Sequence, residues 1–340
     1  MRARSTHALP PGATLRVGID ENGLGPRLGP LIVTAIVARV HGPRGERATR
    51  APRGALAGRI ADSKKLVSFA DSVLGEAWAR ALSAETPLLE PRSPAGLIDR
   101  LSIDAAKVLQ LPCPDEHRDQ CWSVTGESLE ADGALVEQLR RDRAGLGKRG
   151  LDILGARVVV VCTERLNEAL SRGISRFQAD LHAMERLLLH VRAEHGEDLD
   201  ATCGKVGGYD SYVPAFGPLR DHAITVLEEG RARSAYRVGK LGQIAFVRDA
   251  DADHLLVALA SLIGKWVRDL LTRRVTRYHR AHDPSLPEAS GYHDPVTTHF
   301  IRESALTRQR RGVPDACFER RAMGVREGNA RTTKERPARP

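Results

Sequence analysis

Two adjacent carboxylates, Asp20 and Glu21, stand where a short apolar strand at residues 15–19 runs into a glycine- and proline-rich turn at residues 22–30. Side chains at the end of a strand can be held rigidly while they face a cleft. Carboxylates held in this way supply the hard oxygen ligands that Mg²⁺ needs for phosphodiester hydrolysis, with room left for water and phosphate. For an isolated pair, an Asp-Glu turn on the surface is the commoner case.

The turn that follows, Gly23-Leu24-Gly25-Pro26, adds a second feature. Glycine adopts positive φ and lets a ligand approach backbone N–H groups closely. Beside two carboxylates, such a turn could hold a nucleic-acid backbone against amide donors and a metal ion together. Taken alone, the glycines indicate only a tight turn.

A third carboxylate, Asp251, lies just before the clearest helix of the sequence, at residues 254–278, whose apolar stripe faces a core. Asp249, Asp251 and Asp253 alternate, but they lack the glycine and the twelfth-position Glu of a calcium loop. Acidic residues before a helix also act as N-terminal caps. Position alone therefore leaves the role of Asp251 open.

Cys113, His117 and Cys121 are spaced four apart and could line one face of a helix, which suggests zinc. A fourth ligand is not evident, and Pro112 and Pro114 disturb the helix. Free thiols and a surface histidine are the simpler interpretation.

The pattern of apolar residues predicts an α/β or α+β domain built on a sheet. The strongest strand signal is a run of four valines within residues 157–162. Strands are predicted at residues 15–19, 31–40, 157–162, 199–203, 224–227 and 244–247, and helices at residues 69–83, 163–172, 177–195 and 254–278. Residues 84–150 have weak periodicity and are predicted to be a peripheral insertion.

Composition places the chain among ordinary soluble proteins, with 41% hydrophobic and 28% charged residues. The sequence has no apolar run long enough for a membrane span, and its first 14 residues lack the apolar core of a secretory signal. Its five cysteines form no disulfide framework. We therefore expect a cytoplasmic protein.

The net charge of +9 comes from the two ends of the chain. Residues 1–16 carry three arginines and no acidic residue, and residues 305–340 carry ten basic residues against four acidic ones. A basic tail can add non-specific affinity for phosphates, but solvated disordered tails have the same composition. We predict disordered tails at residues 1–14 and 306–340, and the charge alone identifies no partner.

Four sequence blocks resemble ribonuclease HII, in the order of that family. Residues 17–26 are similar to its Gly-x-Asp-Glu-x-Gly-Arg-Gly-Pro opening, and residues 62–66 to its Asp-Ser-Lys-Lys-Leu segment. The third block pairs Asp251 with Ser261 ten residues later, and the fourth contains Tyr292 and His299. The resemblance runs from about residue 15 to 305 and implies a ribonuclease-H-like mixed β-sheet flanked by helices.

This resemblance implies a two-metal nuclease. Asp20, Glu21 and Asp251 would bind Mg²⁺ or Mn²⁺, which activates a water and stabilises the leaving oxygen. Tyr292 would pack on the sugar at the RNA–DNA junction. The backbone of Gly23, Leu24 and Gly25 would lie against the ribose 2′-hydroxyl. This hydroxyl is the group that distinguishes RNA from DNA. The candidate phosphate contacts, which could equally be solvated lysines, are Lys64 and Lys65.

The sequence departs from the family pattern at two positions. A further aspartate closes the family's metal site at the end of a central strand, and the residue in that place here is Gly204, which should weaken metal binding. Asp210, in the following turn, is the better substitute, because Asp200 lies about 13 Å away along the strand. Asp210 could instead cap its own backbone. Leu24 replaces the family's arginine, which removes a charge near the substrate.

The sequence therefore predicts a monomeric, metal-dependent endoribonuclease acting on RNA–DNA hybrids or on ribonucleotides embedded in duplex DNA. Its catalytic residues would be Asp20, Glu21 and Asp251, with Asp210 as a candidate fourth. The alternative is a catalytically weakened ribonuclease-HII-like protein that binds hybrid or structured nucleic acid without efficient cleavage. A nuclease or recombinase of the same fold with another substrate is a third, less favoured, interpretation.

Overall fold

The computed structural model describes residues 13–69, 71–84, 87–207 and 209–322, so most of the tail predicted at residues 1–14 lies outside the described residues. Its centre is a seven-stranded sheet with the order β3-β2-β1-β4-β7-β6-β5. The strands are β1 (Ala13–Asn22), β2 (Leu31–His41), β3 (Leu151–Val161), β4 (Leu199–Gly204), β5 (Ile224–Glu228), β6 (Arg233–Val238) and β7 (Gly242–Val247). The mixed sheet flanked by helices that the sequence predicts is confirmed.

Strand directions bring the functional candidates to one edge of the sheet. β1 and β2 form an antiparallel hairpin, paired from Ala13–His41 to Asn22–Ile32, so the glycine-rich turn joins their ends. β4 runs parallel to β1, with Ile19 beside Cys203. Because parallel strands end at the same edge, the carboxyl ends of β1 and β4 lie side by side.

Helices cover both faces of the sheet. Within the described residues they are α1 (Gly42–Ala48), α2 (Ser63–Leu66), α3 (Val73–Ser83), α4 (Pro94–Leu101), α5 (Ala106–Gln110), α6 (Asp119–Trp122), α7 (Gly133–Gly147), α8 (Thr163–Ser171), α9 (Arg176–His195), α10 (Ala250–Asp253), α11 (Leu255–His282), α12 (Pro295–Glu303), α13 (Ala305–Arg310) and α14 (Asp315–Phe318). The long helices α9 and α11 pack on opposite faces, each with its own apolar cluster.

Local sequence explains both long helices. α9 begins with a capping box, in which the Ser175 and Gln178 side chains each accept a hydrogen bond from the other's backbone N–H, and it ends at Gly196 in the left-handed conformation. α11 lies directly on β1 because Gly18 has no side chain; a Cβ there would lie 2.4 Å from Leu256 Cβ. This close approach brings the start of α11, and α10 before it, to the end of β1.

Residues 84–150 contribute to the core on the α11 face. They include three short helices, α4, α5 and α6, whose length explains the weak periodicity there, and the 15-residue helix α7. Several of their side chains are buried in the same apolar cluster as α11 and β2: Leu97, Ile98, Leu101, Val136, Leu139 and Leu146. This segment therefore contributes buried side chains to the apolar core between α11 and the sheet, and it also covers that core from solvent.

The part of the predicted C-terminal tail that the structure describes is folded. Residues 305–318 form α13 and α14, and Phe318 is buried against Phe300. A few apolar anchors order this segment despite its basic composition. Residues 323–340 lie outside the described residues. Among the helices that the structure does describe, none has both the length and the apolar character needed to cross a bilayer.

Candidate active site

A polar cavity of about 300 Å³ opens where β1 and β4 end. The structure brings together here Asp20 and Glu21 from β1 and Asp251 from α10, which come from distant parts of the chain. The cavity is lined by Asp20, Glu21, Asn22, Gly23, Leu24, Gly25, Ser63, Lys64, Gly204, Lys205, Asp249, Ala250, Asp251, Ser261 and Tyr292. Most of the residues singled out from the sequence therefore share one site.

Asp20 is the most deeply placed carboxylate of the lining. Burial raises its pKa well above the usual value, and the charges of Glu21 and Asp251 raise it further, while a hydrogen bond with Ser261 opposes the shift. The Ser261 hydroxyl lies 2.9 Å from that of Ser63, so the second and third sequence blocks meet beneath Asp20.

The pKa values of the other two carboxylates, Glu21 and Asp251, are raised as well. Burial, followed by the charge of Asp180, raises the pKa of Glu21 to about 8, and Lys64 opposes this shift. Burial and then Asp62 raise the pKa of Asp251, which Lys64 again opposes. Carboxyl groups that raise one another's pKa in this way keep their protons to higher pH, and a cation placed between them would favour their ionised forms.

This donor set matches a hard divalent cation in chemistry, because it consists of carboxylate oxygens whose mutual repulsion a cation would relieve. The match in geometry is incomplete. Across the described ranges, no three His, Cys, Asp or Glu side chains are already grouped closely enough to hold an ion. Binding by Asp20, Glu21 and Asp251 would therefore need their side chains to turn towards a common point.

Gly204 occupies the corner of the site where a side chain is missing. It follows Cys203, the partner of Ile19, and thus lies beside Asp20. A Cβ at this position would lie 2.8 Å from Asp20 Oδ1 and 3.8 Å from Glu21 Oε2. An acidic side chain at position 204 would therefore point into the carboxylate cluster.

The two substitutes considered for Gly204 lie elsewhere. Asp210 does not belong to the cavity lining, and its Oδ1 accepts a hydrogen bond of 3.4 Å from Lys205 Nζ. Asp200 pairs with Arg16 at the opposite end of the parallel strands. Neither is directed at Asp20 in this structure.

A buried carboxylate that sequence reasoning missed, Asp180, lies on the α9 side of the site. It is 0% exposed, and neither carboxylate oxygen has a hydrogen-bond partner among the described residues. Burial and then the charge of Asp20 raise its pKa well above the usual value. In the sequence it is one polar residue within an amphipathic helix, which gave no signal of a site.

The glycine turn has the open geometry that its sequence indicates. Gly23 has a φ of +95°, and a Cβ there would lie 2.9 Å from the Pro30 carbonyl oxygen. A Cβ on Gly25 would contact nothing within 4 Å, so this side of the turn faces open space.

The remaining substrate-binding candidates differ in position. Lys64 lines the cavity; Lys65 is exposed and does not. Tyr292 is 43% exposed, and the Arg268 guanidinium lies over its ring, 4.4 Å from the centroid. An exposed aromatic ring backed by a cation at the cavity rim is suited to stacking on a sugar or base.

The cysteine and histidine residues near position 117 show no metal-site geometry. Trp122 Nε1 donates to Cys113 Sγ at 3.2 Å, and neither ring nitrogen of buried His117 has a partner among the described residues. Among the residues that the structure describes, no three potential ligands are grouped around an ion position there.

Comparisons with known proteins give likenesses to solved structures. No family model matches the sequence, and no curated protein matches it. The structure is similar to ribonuclease HII from Archaeoglobus fulgidus, solved in complex with PCNA, with 15% identity, a TM-score of 0.38, and coverage of 93% of this chain and 98% of that one. It is similar to Bst-RNase HIII, solved with Mn²⁺, with 13% identity, a TM-score of 0.39, and coverage of 88% and 73%. A third likeness is to ribonuclease H2 from Pyrococcus horikoshii, with 13% identity, a TM-score of 0.37, and coverage of 90% and 92%.

Proposed function

We propose that this chain is a metal-dependent endoribonuclease that cleaves the RNA strand of RNA–DNA hybrids or cuts at ribonucleotides embedded in duplex DNA. One observation carries the proposal: Asp20 and Glu21 line the same polar cavity as Asp251. The four sequence blocks support it, because residues of all four line this cavity or its rim. The predictions that the protein is monomeric and cytoplasmic stay predictions.

In this proposal, Asp20, Glu21 and Asp251 hold the cation. When bound, Mg²⁺ or Mn²⁺ supplies an activated water and stabilises the leaving oxygen. Asp180 supplies a further carboxyl group whose charge acts on Glu21 and Asp20, and a bound cation would favour its ionised form, which offsets part of what Gly204 lacks. Support for this role is that its buried carboxylate has no hydrogen-bond partner in the described part of the chain, while Asp210 is engaged with Lys205.

Substrate contacts in the proposal come from the rim of the cavity. The backbone of Gly23, Leu24 and Gly25 meets the ribose 2′-hydroxyl, and the ring of Tyr292 packs on the sugar. Lys64 contacts a phosphate. Lys65, which is exposed and outside the lining, contributes at most to long-range attraction of the duplex.

Cleavage of a DNA duplex that contains one ribonucleotide, with Mg²⁺ and separately with Mn²⁺, tests the proposal. Wild type should cleave it, and Asp20→Asn should abolish cleavage, because the deepest carboxylate is lost. Asp210→Asn should leave the rate unchanged. A wild-type protein that binds this duplex but does not cleave it with either metal would contradict the proposal.

A second candidate function is binding of hybrid or structured nucleic acid without efficient cleavage. Gly204 favours it, because a side chain is missing at 2.8 Å from Asp20 Oδ1. The Gly204→Asp variant separates the two candidates. If wild type is inactive and Gly204→Asp cleaves, the natural chain is the weakened form; if wild type already cleaves, the first candidate stands.

A further inference from the structure

The C-terminal segment runs alongside the glycine-rich turn, outside the carboxylate cluster. Arg320 N donates to the Arg27 carbonyl oxygen at 2.9 Å, and Leu28 and Glu319 form an antiparallel bridge. Arg27 Nε donates to Glu319 Oε1 at 2.8 Å. The segment thus adds a short stretch of strand-like pairing to the back of the turn.

The Arg320 side chain is aimed into that turn. Its Nε and Nη2 donate to the Gly29 carbonyl oxygen at 2.9 and 2.7 Å, and its Nη1 donates to the Gly23 carbonyl oxygen. The side chain is buried, with the residue 3% exposed. One guanidinium therefore bridges the two ends of the turn.

The charge environment makes this arrangement costly. The charged groups that act most on Arg320 are two other cations, Arg176 and Arg268, and burial together with their charges lowers the pKa of Arg320 to about 9. Burying a cation without a carboxylate partner is unfavourable. Its compensation here is the set of carbonyl oxygens of the turn, so the turn and Arg320 hold each other in place.

The hold of Arg320 on the Gly23 carbonyl also fixes the direction of the next N–H group, because both belong to one planar peptide. In a trans peptide the C=O and the following N–H point in opposite directions. Because Arg320 holds the Gly23 carbonyl on its own side, the Leu24 N–H points away from Arg320. Leu24 lines the cavity, and no oxygen within the described residues accepts a hydrogen bond from its amide.

The other turn carbonyls that Arg320 or His293 contacts are not followed by a free N–H group. The Gly25 carbonyl oxygen lies 3.2 Å from His293 Nε2, but the next residue is Pro26, which has no N–H. Gly29 is followed by Pro30, which also has none. The N–H that follows the Arg27 carbonyl belongs to Leu28 and donates to Gly291. Of the carbonyls that Arg320 holds, only that of Gly23 is therefore followed by an N–H group that is free among the described residues, the amide of Leu24.

We infer that Arg320 is a positioning residue that fixes the Leu24 amide as a hydrogen-bond donor to the ribonucleotide, which makes the C-terminal segment part of RNA-versus-DNA discrimination. This inference rests on the proposed function. Asn167 of α8 secures the segment: its Nδ2 donates to the Ala316 and Glu319 carbonyl oxygens at 2.8 and 2.9 Å, and its Oδ1 accepts from Arg321 N at 2.8 Å.

The test measures binding of two labelled duplexes that differ only in one ribonucleotide, with Ca²⁺ in place of Mg²⁺. The affinity ratio is the affinity for the duplex with the ribonucleotide divided by that for the all-DNA duplex. Arg320→Met should lower this ratio about fivefold to tenfold, the factor for one misdirected hydrogen bond, while the affinity for the all-DNA duplex stays unchanged. Arg320→Lys, which keeps the charge but cannot bridge both carbonyls, should give an intermediate ratio.

Arg308→Met is the matched control. Arg308 lies over the Phe318 ring at 4.1 Å and donates to Ile301 O and Ser304 Oγ, both at 2.8 Å, so it supports the same segment without contacting the turn. It should lower thermal stability and leave the affinity ratio at the wild-type value.

An unchanged ratio in folded Arg320→Met, or an equal fall in Arg308→Met, would overturn the inference. If Arg320→Met does not fold, the ratio in Arg320→Lys decides, and a wild-type ratio there is contrary to the inference. If wild type binds both duplexes equally, the proposed recognition of the ribonucleotide is wrong, and the inference about Arg320 is wrong with it. Wild type alone shows this outcome, before any variant is measured.

Discussion

Raising the pH from 5 to 8 in EDTA should destabilise this protein, because the carboxyl groups of the cavity hold protons in the folded state that they release on unfolding. The pKa of Glu21 is raised from 4.5 to about 8 by burial and by the charges of Asp180 and Asp251. The folded state therefore binds more protons than the unfolded state between these values, and stability falls as the pH rises through that window.

The magnitude follows from the shift of Glu21. Each pH unit within the window costs about 1.4 kcal/mol for one proton, so raising the pH from 5 to 8 should lower the free energy of unfolding by about 4 kcal/mol. The pKa values of Asp20, Asp180 and Asp251 are raised too, which steepens the loss in the same direction. Mg²⁺ should reverse it, by about 2.7 kcal/mol at a concentration one hundred times its dissociation constant.

Urea unfolding at pH 5, 6, 7 and 8, with EDTA and with Mg²⁺, is the assay, and Glu21→Gln is the perturbation. This variant removes the titrating group and should flatten the slope; Glu288→Gln, at a half-exposed ion pair outside the cavity lining, should not. Wild-type stability that stays level or rises between pH 5 and 8 in EDTA would refute the reasoning, as would an unchanged slope in Glu21→Gln.

Three further predictions concern single positions. Gly204→Asp should lower the Mg²⁺ concentration needed for half-maximal cleavage about tenfold, because it adds a carboxylate beside Asp20. The Asp20 side chain must shift to relieve the 2.8 Å approach of the new Cβ to its Oδ1, and a metal titration of the rate checks the prediction. Asp180→Asn should raise the melting temperature in EDTA at pH 8, since it removes a buried carboxylate that has no hydrogen-bond partner among the described residues, and it should reduce the stabilisation that Mg²⁺ adds. Asp210→Asn should do neither. Gly23→Ala should lower the free energy of unfolding by about 1–3 kcal/mol, because φ is +95° and the new Cβ would lie 2.9 Å from Pro30 O, as urea unfolding would measure.

The residues at strand and helix ends could be anticipated from the sequence. Asp20 and Glu21 end an apolar strand, and Asp251 lies just before the strongest helix, so the sequence indicates the elements that carry them. The sheet topology then brings these elements together. The β6 strand, Arg233–Val238, was not predicted, since it mixes charged and apolar side chains in a burial pattern that is not a simple alternation.

Asp180 and Arg320 could not be found from the sequence for physical reasons. Asp180 is a polar position on a helix, and only the packing of α9 on the sheet shows that it is buried, with no hydrogen-bond partner in the part of the chain that the structure describes. Arg320 lies in a basic segment whose composition indicates solvent exposure, whereas Phe318 and the carbonyls of the turn draw it inside. Both depend on long-range contacts that composition and periodicity do not encode.

Binding of Mn²⁺, followed by its electron paramagnetic resonance signal in the absence of nucleic acid, tests most directly whether the carboxylates of β1 and α10 act together on one cation. Asp251→Asn should weaken the binding about tenfold or more, whereas Asp253→Asn, on the same short helix but exposed and outside the cavity lining, should bind as wild type does. Equal Mn²⁺ affinity in wild type and Asp251→Asn would contradict the account.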